Sequence, residues 1–134
     1  MDPLRPTQDN PLDQRIRLVL ADDRKRSRCA LRALFGTYPD LLVVGEAADG
    51  FEAIRLVAQE QPHVVLMDLR MPILDGLQAT LCIKARWPQV RVLVLSLAVE
   101  AREAVLAAGA DAFVAKGDPE DLLIETIRGL AGDR

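Results

Sequence analysis

Three aspartates follow two apolar runs of this chain, and their positions predict phosphoryl chemistry. Asp22 and Asp23 come directly after the run Ile16–Ala21, and Asp68 comes directly after Val64–Met67. Carboxylates at the carboxyl ends of two buried strands are costly to bring together, because their like charges repel. A hard divalent cation such as Mg2+ relieves this repulsion, since it prefers oxygen ligands. The pattern therefore predicts a Mg2+ site in which Asp68 can accept a phosphoryl group.

Two further polar side chains end predicted strands and suit the same chemistry. Ser96 ends the run Val90–Ser96, and Lys116 directly follows Ala112–Ala115. A lysine ammonium can offset charge on a phosphoryl oxygen, and a serine hydroxyl can donate a hydrogen bond to one. Together with the three acids, they supply the parts that phosphoryl transfer to a carboxylate requires.

Short apolar runs alternate with stretches of helical periodicity along the chain, which predicts an α/β fold. The strand candidates, rich in Val, Ile and Leu, are Ile16–Ala21, Leu41–Ala47, His63–Met67, Val90–Ser96 and Ala112–Ala115. Several of them are apolar almost throughout, as in parallel strands covered on both faces. The helix candidates begin near Lys25, Asp49, Asp75, Val99 and Asp118. This succession predicts an open parallel sheet with helices on both faces and a ligand site beyond the carboxyl ends of its strands.

Capping signals predict where several of these helices begin. Asp49 and Asp75 are each followed, at capping-box spacing, by a glutamate or a glutamine. Asp118 can cap the last helix candidate, with Pro119 at its first helical position. The fourth helix candidate, Val99–Ala108, lacks a residue of this kind.

Composition limits the classes of protein to which the chain can belong. Its 134 residues suggest one domain, and its net charge of −3 gives no support to binding a polyanion over a broad surface. The two cysteines are too few for a zinc pattern. Residues 1–14 are polar and proline-rich without a signal-peptide core, and we expect a flexible arm there before a domain at 15–131. Because no apolar stretch is long enough to span a membrane, we expect a cytoplasmic protein without a membrane partner.

Several motifs stand in order along the chain, each at the end of a strand candidate: Leu18–Asp23, Leu66–Pro72 with Asp75 and Gly76, Ser96, and Ala110–Lys116. In this order they resemble the receiver domain of bacterial two-component response regulators. The resemblance covers residues 15–131. The sequences of Gly45–Gly50 and Asp68–Pro72 are similar to those of the NarL/FixJ (LuxR-type) branch. Members of that branch often join a receiver to a helix-turn-helix DNA-binding domain.

The resemblance implies a fold and a Mg2+ site. The fold is flavodoxin-like, a doubly wound parallel (βα)5 sheet with strand order 2-1-3-4-5. Asp68 would be the phosphoacceptor, Asp23 would bind Mg2+ directly, and Asp22 would bind it mainly through water. Asp68 itself and the backbone carbonyl of Arg70 would complete the protein ligands.

The resemblance also implies a switch. Ser96 would be the switch hydroxyl and Phe113 the switch aromatic, while Lys116 and Ser96 would assist the chemistry at Asp68. In the family, the hydroxyl moves toward the phosphoryl group and the aromatic ring follows it. The surface of the fourth helix, fifth strand and fifth helix then changes partners, so a charge event biases a two-state packing arrangement.

The expected partner is a sensor histidine kinase, which would transfer its phosphoryl group to Asp68 in a phosphorelay. The chain would be no conventional enzyme but a self-phosphorylating and slowly autodephosphorylating phosphoacceptor, and a homodimer on phosphorylation is a further expectation. DNA would be bound only through an effector domain, which these residues are not predicted to contain. The branch favours the receiver of a transcriptional regulator, and a stand-alone single-domain receiver is the alternative.

Three other interpretations stay open from the residues alone. A haloacid-dehalogenase-type phosphatase needs an Asp-x-Asp pair after the first strand, whereas Asp22 and Asp23 are adjacent. A flavodoxin-like FMN binder needs a Ser/Thr/Gly-rich phosphate loop where Asp22–Arg26 stands. A degenerate interaction module is the third, because Leu97–Gly109 is short for the family, which predicts an altered output face. Phe113 stands where tyrosine is common in the family, so its ring can fill the pocket but offers no hydroxyl to a partner.

Two further features are interpreted as structural. The cations Arg24, Lys25, Arg26 and Arg28 open the first helix candidate, where positive charge is unfavourable. We interpret them as a solvated face, with support from the nearby acidic pocket and contact with a kinase as the two alternatives. His63, the only histidine, precedes the third strand candidate, far from the acidic rim, and is interpreted as structural.

Overall fold

A five-stranded parallel sheet forms the centre of the computed structural model, which describes residues 14–132. The strands are β1 (Ile16–Ala21), β2 (Leu41–Ala47), β3 (Val64–Met67), β4 (Arg91–Ser96) and β5 (Ala112–Ala115). Their order is β2-β1-β3-β4-β5, and every neighbouring pair is parallel. The predicted flavodoxin-like fold and its strand order are therefore confirmed. Strands β3 and β4 each begin one residue later than predicted.

Helices cover both faces of this sheet. They are α1 (Lys25–Phe35), α2 (Gly50–Glu60), α3 (Gly76–Arg86), α4 (Arg102–Ala107) and α5 (Glu120–Leu130). Side chains of α1 and α5 pack into one core cluster that includes Phe35 and Ile127, and those of α2, α3 and α4 pack into another that includes Val57 and Ile83. Because both faces are covered, every residue of β3 is buried, which explains its uninterrupted apolar run.

The described part of the chain begins at Gln14, so the arm predicted at 1–14 lies outside it apart from that residue. The domain boundaries at 15–131 stay a prediction. Among residues 14–132, no helix is long and apolar enough to cross a membrane.

Two of the predicted aspartate caps are confirmed, and they start α2 and α3. Asp49 Oδ1 accepts a hydrogen bond from the backbone N–H of Glu52 at 2.8 Å, and Asp75 Oδ1 accepts one from that of Gln78 at 2.9 Å. The Glu52 carboxylate in turn accepts from the N–H of Ala48 at 3.2 Å. These bonds satisfy donors that the first turn of a helix leaves free.

The prediction that Asp118 caps the last helix is wrong. Helix α5 begins at Glu120, and its N-cap residue is Pro119, which offers no side-chain acceptor. Asp118 accepts instead from the N–H of Ala115 at 3.0 Å, because its carboxylate closes the turn that leaves β5. That turn carries Lys116, so the carboxylate orders the site rather than the helix.

The segment predicted as one helix at Val99–Ala108 is divided. Val99–Ala101 forms a 3-10 turn, and α4 occupies only Arg102–Ala107. No side chain caps either piece, as the sequence indicated. The N–H of Ala101 is satisfied by the carbonyl of Ala98 at 3.0 Å, the tighter bonding that an uncapped helix start adopts.

Two glycines allow close backbone packing around the loop from β3 to α3. The N–H of Gly76 donates to the carbonyl of Leu69 at 2.9 Å, and a β-carbon on Gly76 would overlap the carbonyl oxygen of Asp68. The N–H of Gly50 donates to the carbonyl of Leu74 at 2.9 Å, and a β-carbon on Gly50 would overlap the carbonyl oxygen of Leu74. The loop that follows Asp68 is therefore clamped on two sides.

Ile73 lies at the tip of this clamped loop in an unusual conformation. Its φ is 70°, and its side chain is 79% exposed. The N–H of Leu74 donates to the carbonyl of Pro72 at 2.7 Å, which closes a γ-turn around Ile73. A β-branched residue with positive φ is an outlier that persists only where the surrounding structure determines the backbone.

Candidate functional site

The three predicted aspartates meet at the carboxyl ends of β1 and β3. Asp22, Asp23 and Asp68 each offer one carboxylate oxygen, and these oxygens all lie within 4.8 Å of one another. Asp22 is 3% exposed and Asp68 is 9% exposed, whereas Asp23 is open to solvent. Asp22 Oδ1 also accepts from the N–H of Arg24 at 2.9 Å, which orients that carboxylate at the start of α1.

Lys116 joins the two more buried carboxylates. Its Nζ lies 3.1 Å from Asp22 Oδ2 and 3.1 Å from Asp68 Oδ2. Burial of the ammonium lowers its pKa, but the hydrogen bonds and charges of Asp22 and Asp68 outweigh that effect, so the pKa of Lys116 is raised above its ordinary value. Lys116 is therefore a fixed cation placed beside Asp68.

Ser96 reaches the same site from the end of β4. It is 2% exposed, and its Oγ accepts a hydrogen bond from the N–H of Ala98 at 3.0 Å. Its carbonyl accepts from the N–H of Lys116 at 3.0 Å, which couples the ends of β4 and β5. Among the described residues, Ser96 makes no hydrogen bond to Asp68.

A cleft of about 170 Å3 contains most of the predicted site residues. Its lining is formed by Asp23, Arg24, Asp68, Arg70, Ser96, Leu97, Ala98, Glu100 and Lys116. The N–H of Arg70 lies 3.5 Å from Asp68 Oδ1, so the backbone at this residue faces the acids. Three carboxylates against one bonded ammonium leave excess negative charge, and oxygen donors with that charge fit a hard divalent cation.

Phe113 does not line the cleft. Its ring is 8% exposed and belongs to the core cluster beneath α2, α3 and α4. The guanidinium carbon of Arg102 lies 6.0 Å from the ring centroid, so the first residue of α4 covers the ring. The cleft thus brings together Asp23, Asp68, Arg70, Ser96 and Lys116, and Phe113 lies outside it.

One of the cations at the start of α1, Arg28, makes contacts that the sequence did not predict. Arg28 is half-buried, donates to the carbonyl of Asp22 at 2.7 Å, and pairs with Glu46 at 3.1 Å. The interpretation of the cluster as solvated is therefore wrong for Arg28, and its bond to the carbonyl of Asp22 agrees with the alternative that the acidic pocket supports it. The local sequence pattern held no signal for the pair with Glu46, because that residue lies on β2 and meets Arg28 only in the assembled fold.

His63 lies at the opposite rim and makes strand-like hydrogen bonds. Its Nδ1 accepts from the N–H of Arg17 at 2.9 Å, and its own N–H donates to the carbonyl of Arg17 at 2.9 Å. These bonds extend the pairing of β1 with β3 and agree with the structural interpretation.

Comparisons with known proteins all point to one family. The family profile described as response regulator receiver domain matches residues 18–128. The uncharacterized transcriptional regulatory protein YhcZ of Bacillus subtilis is 40% identical over 111 residues, which are 81% of this chain and 52% of that protein. This chain spans about half the length of the curated relatives that it matches.

Solved structures agree in fold. A two-component response regulator of the LuxR family from Aurantimonas is 32% identical with a TM-score of 0.83, covering 90% of this chain and 87% of that one. The signal receiver domain of the response regulator NarL from Mycobacterium tuberculosis is 28% identical with a TM-score of 0.83, covering 90% and 99%.

Proposed function

This chain belongs to the receiver-domain family of response regulators, with NarL- and LuxR-type relatives, and from that premise we propose that it is a phosphorylation switch. Asp68 is the proposed phosphoacceptor, and a phosphohistidine of a sensor kinase is the proposed donor. The observation that carries this proposal is the position of Lys116 Nζ, 3.1 Å from oxygens of both Asp22 and Asp68. Membership of the family also argues against the phosphatase and flavin-binding alternatives.

In the proposed reaction an oxygen of Asp68 attacks the phosphorus of the donor. The new O–P bond forms as the P–N bond to the kinase imidazole breaks, and the imidazole leaves with the bonding electrons. Lys116 is already beside Asp68, so its ammonium can pair with a phosphoryl oxygen without a large movement. A small acyl phosphate could replace the kinase, because the acceptor supplies the groups that position the phosphorus.

We propose that Asp23, Asp68 and the backbone carbonyl of Arg70 hold Mg2+ directly, and that Asp22 holds it through water. The close approach of the three carboxylates supports this set. When bound, Mg2+ would screen the charge of the incoming phosphoryl group. The exposure of Asp23 leaves a route from solvent to the site.

The proposed switch starts from a hydrogen-bonded serine, Ser96, and a buried aromatic ring, Phe113. Ser96 Oγ now accepts from Ala98, and it would turn to donate a hydrogen bond to a phosphoryl oxygen. Phe113 is now buried beneath Arg102, and its repacking would change the surface of α4, β5 and α5. A bistable packing arrangement of this kind would convert a local charge into an altered surface.

For the output, we propose that residues 15–131 form the receiver of a transcriptional regulator. Relatives named as transcriptional regulatory proteins support this proposal. Contact with DNA would then require an effector domain, and a stand-alone receiver remains the alternative.

Labelling of the purified chain by radioactive acetyl phosphate tests the proposed acceptor. We expect label in the presence of Mg2+, and its loss on chelation or in Asp68→Asn. The matched control is Asp75→Asn, because Asp75 is an exposed helix cap outside the cleft, and asparagine also caps helices. An unlabelled wild-type chain, or label that persists in Asp68→Asn, would contradict the proposal.

A further inference from the structure

Every polar group of Asp22 has a partner within the chain. Its N–H donates to the carbonyl of Ala47 at 3.0 Å, and its Oδ1 accepts from the N–H of Arg24 at 2.9 Å. Its Oδ2 is paired with Lys116 at 3.1 Å, and its carbonyl accepts from Nη1 of Arg28 at 2.7 Å. Of the side chains that hold Asp22, Lys116 lines the cleft and Arg28 does not.

The neighbouring residue, Asp23, has no such support of its own. Its carboxylate is exposed, and it makes no hydrogen bond or ion pair with another residue in the range 14–132. The carbonyl that Arg28 holds belongs to the peptide unit that joins Asp22 to Asp23, and a peptide unit is planar. A bond to this oxygen therefore fixes the orientation of the plane from which the Asp23 side chain departs.

Arg28 is held in turn by Glu46 on β2. Its Nε donates to Glu46 Oε1 at 3.1 Å, while Nη1 of the same guanidinium reaches the carbonyl of Asp22. Because the guanidinium is planar and its donors point in fixed directions, the bond to one partner sets the direction toward the other. Oε2 of Glu46 binds Arg32 at 2.7 Å, so the carboxylate is itself oriented. These contacts join α1 to the ends of both β1 and β2.

The positive charge of Arg28 is unfavourable for Mg2+ binding. A guanidinium near a site for a divalent cation repels the ion, so its removal would tighten binding if charge alone mattered. If Arg28 instead acts by orienting the Asp22–Asp23 peptide, its removal weakens binding. The two accounts of the same side chain therefore predict opposite changes in affinity.

We propose that Arg28 is a positioning residue for the Mg2+ site, acting through the Asp22–Asp23 peptide, with Glu46 as its anchor. This inference rests on the proposed function, because it takes Asp23 as a direct ligand of the ion. Arg28 would not touch Mg2+ itself. Groups that orient a metal ligand in this indirect way typically change metal affinity by about 10–100-fold when they are mutated.

A titration with MgCl2, followed by the amide resonances of the isotope-labelled chain, measures affinity in the folded protein. Arg28→Gln removes the fork and should raise the dissociation constant for Mg2+ about tenfold or more. Arg28→Lys keeps the charge, but one ammonium cannot reproduce the directed bonds to Asp22 and Glu46, and we expect an increase of at least about threefold. Because the same spectra show whether each variant is folded, a loss of stability is not mistaken for a weaker site.

The matched control is Arg32→Gln. It removes the same charge one turn further along α1, from a side chain that binds Glu46 but does not contact Asp22. It should bind Mg2+ as tightly as the wild type, or slightly more tightly. An Arg28→Gln variant that behaves in the same way would overturn the inference, because loss of charge alone produces that result. Arg28→Lys carries the test if Arg28→Gln does not fold.

Glu46→Ala tests the anchor. If Glu46 acts through Arg28, its loss weakens Mg2+ binding in the wild type but adds less than about twofold in the Arg28→Gln background. Fully additive effects would overturn the role given to Glu46. The wild type separates the two claims. Cleft amides that do not respond to Mg2+ contradict the proposed function, whereas a response that Arg28→Lys reproduces unchanged contradicts this inference alone.

Discussion

Lys116 holds two like-charged side chains together at the centre of the site. Its ammonium lies 3.1 Å from oxygens of both Asp22 and Asp68. These two aspartates are 3% and 9% exposed. The order of the strand ends predicted a lysine near a phosphoryl oxygen. The bond to Asp22 could not be predicted, because it depends on how closely the ends of β1, β3 and β5 converge.

Removal of the Lys116 charge should destabilise the fold. In Lys116→Met, two buried carboxylates lose their shared counter-charge, and we expect the free energy of unfolding in urea to fall by about 1–3 kcal/mol at neutral pH. Lys25→Met is the control, because Lys25 is exposed and makes no ion pair within residues 14–132, and its effect should stay within about 0.5 kcal/mol. Equal stabilities for the two variants would contradict the role given to Lys116.

The pH dependence of stability has a defined sign. The pKa of Lys116 is raised in the folded chain, so its contribution is complete below the ordinary lysine value of about 10.4 and is lost as the pH rises through the folded value. The wild type should therefore lose more stability in strong alkali than Lys116→Met does. If Lys116→Met lost more stability than the wild type at alkaline pH, the predicted direction of the pH dependence would be wrong.

Asp23 should couple Mg2+ to stability. With Mg2+ at about one hundred times its dissociation constant, the wild type should gain about 2.7 kcal/mol. Asp23→Asn should lose that gain, and without Mg2+ it should be slightly more stable than the wild type, because one repelling charge is removed. Thermal melts across a Mg2+ titration measure both effects. Asp121→Asn, an exposed acid outside the cluster, should keep the full response.

At the scale of elements, the sequence predicted helix starts correctly where the capping hydrogen bond joins residues close together in the chain. Asp49 and Asp75 cap their helices as the spacing predicted, because the acceptor and the donor lie within one turn. Asp118 has the same chemistry but closes the turn after Ala115, since Pro119 occupies the cap position. The Asp118 carboxylate could accept either from the first turn of α5 or from the N–H of Ala115. The path of the backbone after β5 decides between them, and the local sequence does not reveal that path.

The clamp around the β3–α3 loop should be intolerant of a single methyl group. In Gly76→Ala the new β-carbon would overlap the carbonyl oxygen of Asp68, so we expect a loss of at least about 2 kcal/mol in the free energy of unfolding. Gly129→Ala is the matched control, because Gly129 is helical and a β-carbon there meets nothing within 4 Å. It should gain about 0.5–1 kcal/mol. A Gly76→Ala chain as stable as the wild type would contradict the clamp.

At the scale of the whole molecule, the two faces of the sheet differ. One carries α1 and α5, and the other carries α2, α3 and α4 with Phe113 beneath them. The alternation of strands and helices predicted a sheet covered on both faces. The strand order could be predicted only through the family resemblance, because contacts such as Val65 with Val92 join residues far apart in the chain.

The most direct test of the central claim is the position of the phosphoryl group. Borohydride reduces an aspartyl phosphate to homoserine, which peptide mass spectrometry can locate after the chain has been phosphorylated with Mg2+ and acetyl phosphate. We expect homoserine at position 68 and none at Asp22 or Asp23. Homoserine at either of those residues, or its absence at position 68 in a chain that has taken up phosphate, would contradict the assignment of Asp68 as the acceptor.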